Sequence, residues 1–576
     1  MKKKALPILV VCVLIVIIVA VMGVVSLIQK YTPSREHQDL NSYYGVTSND
    51  EVAIVLNNEI NEAKAIVIDG HVYIDYQFLH DYINNRFYWD HNENVLLYAT
   101  SQDLITATAD SSTYLITKSS VDYGRPVVKA NSDSAYVDLD FAKQYSDFTY
   151  KYIDNPHRIV ITNQWGEYEV ASLKKDSNIR VKGGIKSPIL KSEKAKTEVT
   201  VIEKGDNWTK VMTDDGIIGY LQNRNLSAGE TKTRKSDFQP DTFAHIKKDF
   251  EICMAWHQVT NQSANAAVSS VLSGTKGINV ISPTWFYLND NDGNLANLAS
   301  LDYVNYCHSQ GVEVWALVSN LENKDADSTE VLTHTSKRQN LVNQIISMAI
   351  QYNLDGINLD FEALNREEVG DSYIQMVREL SIKCANNGIV LSIDNYVPTE
   401  YTSFYNRAEQ ANFADYVVIM GYDEHYAGSD AGSVSSLNWV KQGVADTLKE
   451  VPAEQVILGM PFYTRVWALT PEDENADSAD ADTDTAYEVS SQIYGMRAAN
   501  ELLATKGAVK TWQEDCGQNY AEFTDGNSKY QVWLEDAASA EARLKVMDEN
   551  KLAGASFWKL GFETSDVWDT IIKYIN

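Results

Sequence analysis

The chain has 576 residues and carries 79 Asp and Glu against 49 Lys and Arg, a net charge of −30. That length allows several domains, and the acidic balance excludes a nucleic-acid binder, whose phosphate contacts need clustered Lys and Arg. Tyr at 33 and Trp at 12 fit a carbohydrate-handling surface, a trait shared by many secreted proteins.

Lys2, Lys3 and Lys4 precede an almost unbroken apolar run from Ala5 to Ile28. About 20 apolar residues span a bilayer, whereas a secretory h-region runs about 7–15. No small-x-small cleavage site closes the run, so residues 5–28 are expected to be an uncleaved membrane anchor rather than a removed signal peptide. Positive residues stay inside, which places Gln29 onward on the outer, cell-wall side. Residues 31–50 are polar and read as a linker. Cys253, Cys307, Cys384 and Cys516 lack metal-ligand spacing and read as buried free thiols, with room for one disulfide.

An internal repeat occupies residues 51–168. Val72-Tyr73-Ile74-Asp75-Tyr76-Gln77-Phe78 is echoed by Ala135-Tyr136-Val137-Asp138-Leu139-Asp140-Phe141. Each copy predicts a strand, a short helix and two further strands separated by turn residues. The pattern resembles the modules named after the N-terminal domain of copper amine oxidases, and no Cys/His cluster supports copper. From 169 to 228 the texture changes to short β-runs. Trp208–Val211, Asp214-Asp215-Gly216 and Gly219–Leu221 predict a hairpin. They resemble bacterial Src-homology-3-like domains, with a purely structural small barrel as the competing reading. Residues 229–246 read as a second linker.

The last 330 or so residues alternate strand-like and helical stretches, a signature of parallel sheets. Eight apolar runs start at Ile252, Val280, Val312, Leu354, Val390, Tyr416, Val456 and Ala553. Eight over that length predict an α/β fold of the (β/α)8 TIM-barrel type spanning 247–576. No Gly-rich phosphate loop follows any run, so nucleotide binding lacks support. Between the seventh and eighth runs the sequence predicts an acidic solvated loop over Thr470–Thr485, with weak calcium binding as a minor alternative. A helix near Ser490–Ala504 and a hairpin near Lys510–Trp533 are expected beyond it.

The run Leu354–Glu362 reads L-D-G-I-N-L-D-F-E. Alternate side chains of a strand share a face, so Asn358, Asp360 and Glu362 point one way and Ile357, Leu359 and Phe361 the other. Acids crowding the C-terminal edge of a parallel strand predict a site, because ligands bind at that edge. Asp355 has the opposite parity and reads as structural.

Met420-Gly421-Tyr422-Asp423, Gly459–Arg465 and Phe557-Trp558 close the sixth, seventh and eighth runs. With the D-G-x-x-x-D-x-E run they resemble the family-18 glycoside hydrolases, nearest to the bacterial spore-germination and cortex-lytic branch. The family's usual D-x-x-D-x-D-x-E has Asn358 at its second Asp, and an amide cannot share a proton with Asp360 as an acid would. The resemblance implies a substrate-assisted retaining glycosidase acting on N-acetylglucosamine-containing polysaccharide, either peptidoglycan or a chitin-like glycan, without cofactor or metal. It implies Glu362 as general acid, Asp360 as the acceptor of the acetamido N–H and Tyr422 as a donor to the acetamido oxygen. Asn358, Asp423, Tyr463, Arg465 and Trp558 are the expected substrate contacts, Trp558 as the floor under the sugar. A non-catalytic wall lectin on the same barrel is the alternative, although such proteins usually lose the terminal Glu.

Overall fold

The computed structural model describes residues 5–131, 134–471 and 487–575. The chain forms two compact units, one of Met1–Trp89 with Ala107–Pro240, the other of Asp90–Thr106 with Asp241–Asn576.

In the first unit, a helix over Ala5–Tyr31 presents Ile, Leu and Val to the outside all round. By length and composition it can cross a bilayer, a test that a signal sequence also passes. The expected linker at 31–50 is tied down instead. Backbone N–H groups of Ser34 and Gln38 donate to Ile185 and Ile189 carbonyls at 2.8 Å each. Asp39 then caps a short helix, Leu40–Tyr44. Tyr44 is buried and its hydroxyl donates to the Gly216 carbonyl at 2.8 Å. Two adjacent tyrosines supply enough burial to fix an otherwise polar segment, a force that a count of polar residues misses.

The repeat appears as a local twofold. Strands His71–Asp75 and Ser134–Asp138 pair antiparallel with Ile74 opposite Val137. Each ends in an aspartate that caps the next helix: Asp75 accepts from Phe78 N–H at 3.1 Å, and Asp138 from Phe141 N–H at 2.9 Å. The helices Tyr76–Tyr82 and Leu139–Gln144 are followed in both copies by two strands. The 169–228 region joins a seven-stranded sheet, and its expected hairpin pairs Trp208–Met212 with Ile218–Gln222. Part of the second expected linker is also a strand. Glu230–Arg234 pairs with Gly166–Ser172, where Lys232 meets Glu198 at 2.6 Å and Arg234 lies over the Tyr168 ring at 3.9 Å. Charged residues are ordinary on an edge strand, and here they disguised one.

The second unit is a closed barrel of eight parallel strands. They are β1 (Ile252–His257), β2 (Val280–Leu288), β3 (Glu313–Ser319), β4 (Gly356–Asp360), β5 (Val390–Tyr396), β6 (Tyr416–Met420), β7 (Val456–Pro461) and β8 (Gly554–Trp558). Closure comes from β1, which pairs with both β2 and β8. Ile357, Leu359 and Phe361 pack outward into the main core with the helices Thr335–Gln351 and Ser372–Asn387. Inside the barrel, Met254, Trp315, Leu317, Tyr416, Val418 and Ile457 form a second apolar cluster. Gly356 is dictated by that cluster, because a Cβ there would sit 2.7 Å from the Trp315 ring. Asp355 ties strand starts together, accepting from Val314 N–H and meeting His308 Nε2, each at 2.8 Å.

Beyond β7 the chain enters a five-stranded antiparallel sheet. The helix expected from Ser490 begins only at Met496, because Tyr487–Gly495 pairs along Tyr463–Pro471. Its Y-E-V-S-S-Q-I alternation suits a strand with one wet face better than a helix. Strands Gln518–Asp525 and Ser528–Leu534 supply the expected hairpin. Most of the acidic stretch at Thr470–Thr485 lies outside the described residues. All five cysteines are free thiols, and burial raises the Cys253 thiol to about 12.

Candidate active site

Three layers stack at the C-terminal end of β4. Asn358, the lowest, is fully buried. Its Oδ1 accepts from Trp256 Nε1 at 2.8 Å and Ser282 Oγ at 3.0 Å. Its Nδ2 donates to Ser392 Oγ at 3.2 Å and to Asp394 Oδ1 at 2.7 Å. Both ends of the amide are thus committed, and the indole donor fixes which way it points.

Above it, Asp360 and Glu362 face a cavity of about 160 Å³. The Oδ1 of Asp360 is buried and has no hydrogen-bond partner in the protein. Burial raises the Asp360 carboxyl well above the usual range, reinforced by the charges of Glu362, Asp394 and Glu322. Glu362 is also raised, first by burial and then by Asp423 and Glu322, with a hydrogen bond from the Tyr396 hydroxyl acting the other way. The backbone of Glu362 is held on both sides by one amide. Asn320 Oδ1 accepts its N–H and Asn320 Nδ2 donates to its carbonyl, each at 2.9 Å.

Aromatic rings complete the wall. Trp256 lies edge-on to Tyr422 at 6.4 Å and to Trp558 at 5.8 Å between ring centres, and Tyr422 to Tyr463 at 6.2 Å. The Tyr463 hydroxyl donates to Asp423 Oδ1 at 2.5 Å. Arg465 does not line this cavity; its Nη2 is 4.0 Å from Asp423 and its Nη1 donates to Ser491 at 3.2 Å. Of the eight site residues read from the sequence, Asp360, Glu362, Tyr422, Asp423, Tyr463 and Trp558 share the cavity. Asn358 lies beneath it, its polar atoms used within the protein, rather than on its wall.

Trp256, Asp394, Tyr396 and Met420 also line the cavity and were missed. The signal was present in V-L-S-I-D-N-Y, where Ser392, Asp394 and Tyr396 alternate as the β4 residues do. A second cavity, of about 590 Å³, adjoins the first. Glu362 lines both, and Asn323, Lys324, Asp325 and Asn365 make the second one polar. Among the described residues no group of three His, Cys, Asp or Glu is arranged to hold a metal ion.

The family model described as glycosyl hydrolases family 18 matches residues 217–563, more than half of the chain. The chain belongs to glycosyl hydrolase family 18. This family-18 glycosidase is 26% identical over 296 residues to the uncharacterized glycosylase YvbX of Bacillus subtilis, covering 49% of this chain and 81% of that protein. It is 25% identical over 284 residues to the cortical fragment-lytic enzyme of the same organism, covering 48% of this chain and 62% of that one, less than two thirds of its length. Among solved structures, the Bacillus cereus spore cortex-lytic enzyme SleL matches with a TM-score of 0.49 at 18% identity, over 59% of this chain and 79% of that one.

Proposed function

We propose that this family-18 glycosidase cleaves β-1,4 linkages of N-acetylglucosamine-containing glycans, peptidoglycan foremost, by substrate-assisted retaining catalysis. The observation that carries the reading is the unpartnered Asp360 Oδ1 beside a raised Glu362 in an aromatic cavity. A buried acceptor without a donor is costly in the free protein and is satisfied when a ligand brings an N–H. The acetamido group of the sugar brings one.

The chemistry then runs in two steps. Glu362, protonated, gives its proton to the glycosidic oxygen as the C1–O bond breaks. The substrate's acetamido oxygen closes on C1 to form an oxazolinium ion, aligned by Asp360 on its N–H and by the Tyr422 hydroxyl on its oxygen. Trp558 lies under the sugar ring, and Asp423, with Tyr463 and Arg465 behind it, takes the sugar hydroxyls. In the second step Glu362, now a carboxylate, takes a proton from water as the water oxygen bonds to C1 and opens the ring. The second cavity, sharing Glu362, takes the leaving-group side of the chain. Asn358 serves the site from below.

Similarity to a protein named cortical fragment-lytic enzyme supports peptidoglycan over chitin. The apolar helix Ala5–Tyr31 supports attachment to the membrane with the barrel on the wall side. The test is hydrolysis by the full chain in detergent, with mass spectrometry of products from peptidoglycan and chitohexaose. New reducing ends on N-acetylglucosamine are expected from peptidoglycan. No release from either substrate, or from N-glycans, would end the proposal.

A further inference from the structure

The family's second motif aspartate is Asn358 here, yet β5 supplies Asp394 to a cavity that also holds Asp360, Glu362 and Asp423. Asn358 stands opposite Ser392 and Leu359 opposite Ile393 in the β4–β5 ladder, so the register carried on by one residue sets Asp360 beside Asp394. Adjacent strands lie about 4.8 Å apart, and two carboxyl groups that close in a buried site do not both ionise freely. Asp360 Oδ1 has no protein donor, whereas Asp394 Oδ1 takes the Asn358 amide at 2.7 Å.

We propose that Asp394 is the proton-sharing partner of Asp360, a carboxylate moved from position 358 on β4 to the neighbouring strand. It is a positioning residue that sets the protonation of the Asp360–Glu362 pair, and the inference rests on the functional reading given above. The directions agree with the geometry: burial raises both carboxyls first, the Asp394 charge adds to the rise at Asp360, and at Asp394 the Asn358 hydrogen bond works against the further rise from Glu362. Other groups facing this cluster are Tyr396 on β5, Tyr422 after β6, and Tyr373 on the helix Ser372–Asn387. Asp423 and Glu322 act on Glu362.

The hydrogen bonding allows the carboxylate to be moved back. With Asp at 358 and Asn at 394, Trp256 Nε1 and Ser282 Oγ would still donate to one oxygen of residue 358. The Asn at 394 would donate to the other, so the 2.7 Å bond runs in reverse.

The experiment is the pH dependence of kcat/KM on peptidoglycan for the full chain, for D394N, for N358D and for the exchange N358D/D394N. Removing one negative charge lets Asp360 and Glu362 ionise more easily, so D394N is expected to move the profile acid-ward by about one pH unit. N358D adds a charge and moves it the other way, and the exchange returns the profile to that of the parent. An unmoved D394N profile, or an exchange variant that stays where D394N is, overturns the proposal. If D394N is too slow or too unstable to measure, recovery of rate in the exchange variant upholds it and failure to recover overturns it. A parent without glycosidase activity fails the functional reading instead. Carboxyl 13C titration then decides this inference alone: coupled two-step curves for Asp360 and Asp394 uphold it, and independent single-step curves overturn it.

Discussion

In the lower half of the barrel interior, Trp315 stacks on Tyr416 at 5.5 Å, and Met254, Leu317, Val418 and Ile457 fill the remaining space. One layer up, the same strands turn Asp360, Glu362 and Asp394 toward a cavity. Between them sits Asn358, polar and completely buried, with both ends of its amide bonded. Below the amide the interior is mostly apolar, as a folded interior demands, with the Ser556 hydroxyl beside Met254 buried without a partner. Above it, one buried carboxylate oxygen has no partner and the acids crowd one another. The contrast separates what holds the barrel from what it is for, since strain of this kind persists only where the surroundings enforce it.

Substitutions in each layer test the separation. The largest effect belongs to Glu362→Gln, which is expected to lower kcat by about 10²–10⁴-fold with glycan binding retained; kinetics and binding isotherms check it. Trp315→Ala, in the lower layer, should cost about 3–5 kcal/mol of stability in urea melts with little change in rate per folded molecule. Gly356→Ala presses a methyl against the Trp315 ring and should cost about 1–3 kcal/mol in the same assay. Equal loss of kcat in both layers would erase the distinction.

A subtler effect has the opposite sign. The Asp360 carboxyl is raised in the folded protein, so the native state binds more protons than the unfolded chain above about pH 4. Its contribution to stability therefore falls as pH rises from there through the folded value. Asp360→Asn removes the group, so it should melt higher than the parent at pH 8 and show a smaller loss of Tm between pH 5 and pH 8, while nearly abolishing turnover. A variant that melts lower at pH 8 would show that the upper layer also holds the barrel. The smallest effect is Asp75→Ala, which removes one helix cap and should cost about 1 kcal/mol without touching the rate.

All eight barrel strands were legible in the sequence, because a strand covered on both sides is written as an apolar run with few rivals. So was the Asn358–Asp360–Glu362 row, where polar residues interrupt such a run at a period of two. Asp394 escaped because its strand carries only one acid, and its meaning comes from the β4–β5 register rather than from its own run. Arg465, expected at the sugar by resemblance, stands behind Asp423 and donates to Ser491, while its Nε is buried without a partner. The strands Tyr487–Gly495 and Glu230–Arg234 were hidden for another reason. Polar or charged side chains on a wet face leave pairing to the backbone, which composition does not record.

The fastening of residues 34–44 onto their neighbouring β-strands has a mechanical outcome. Lys186 grips the Gln29 and Thr32 carbonyls at the very end of the long apolar helix, leaving no slack chain there. The first module therefore follows that helix like a post on its footing, with the joining residues fastened rather than loose.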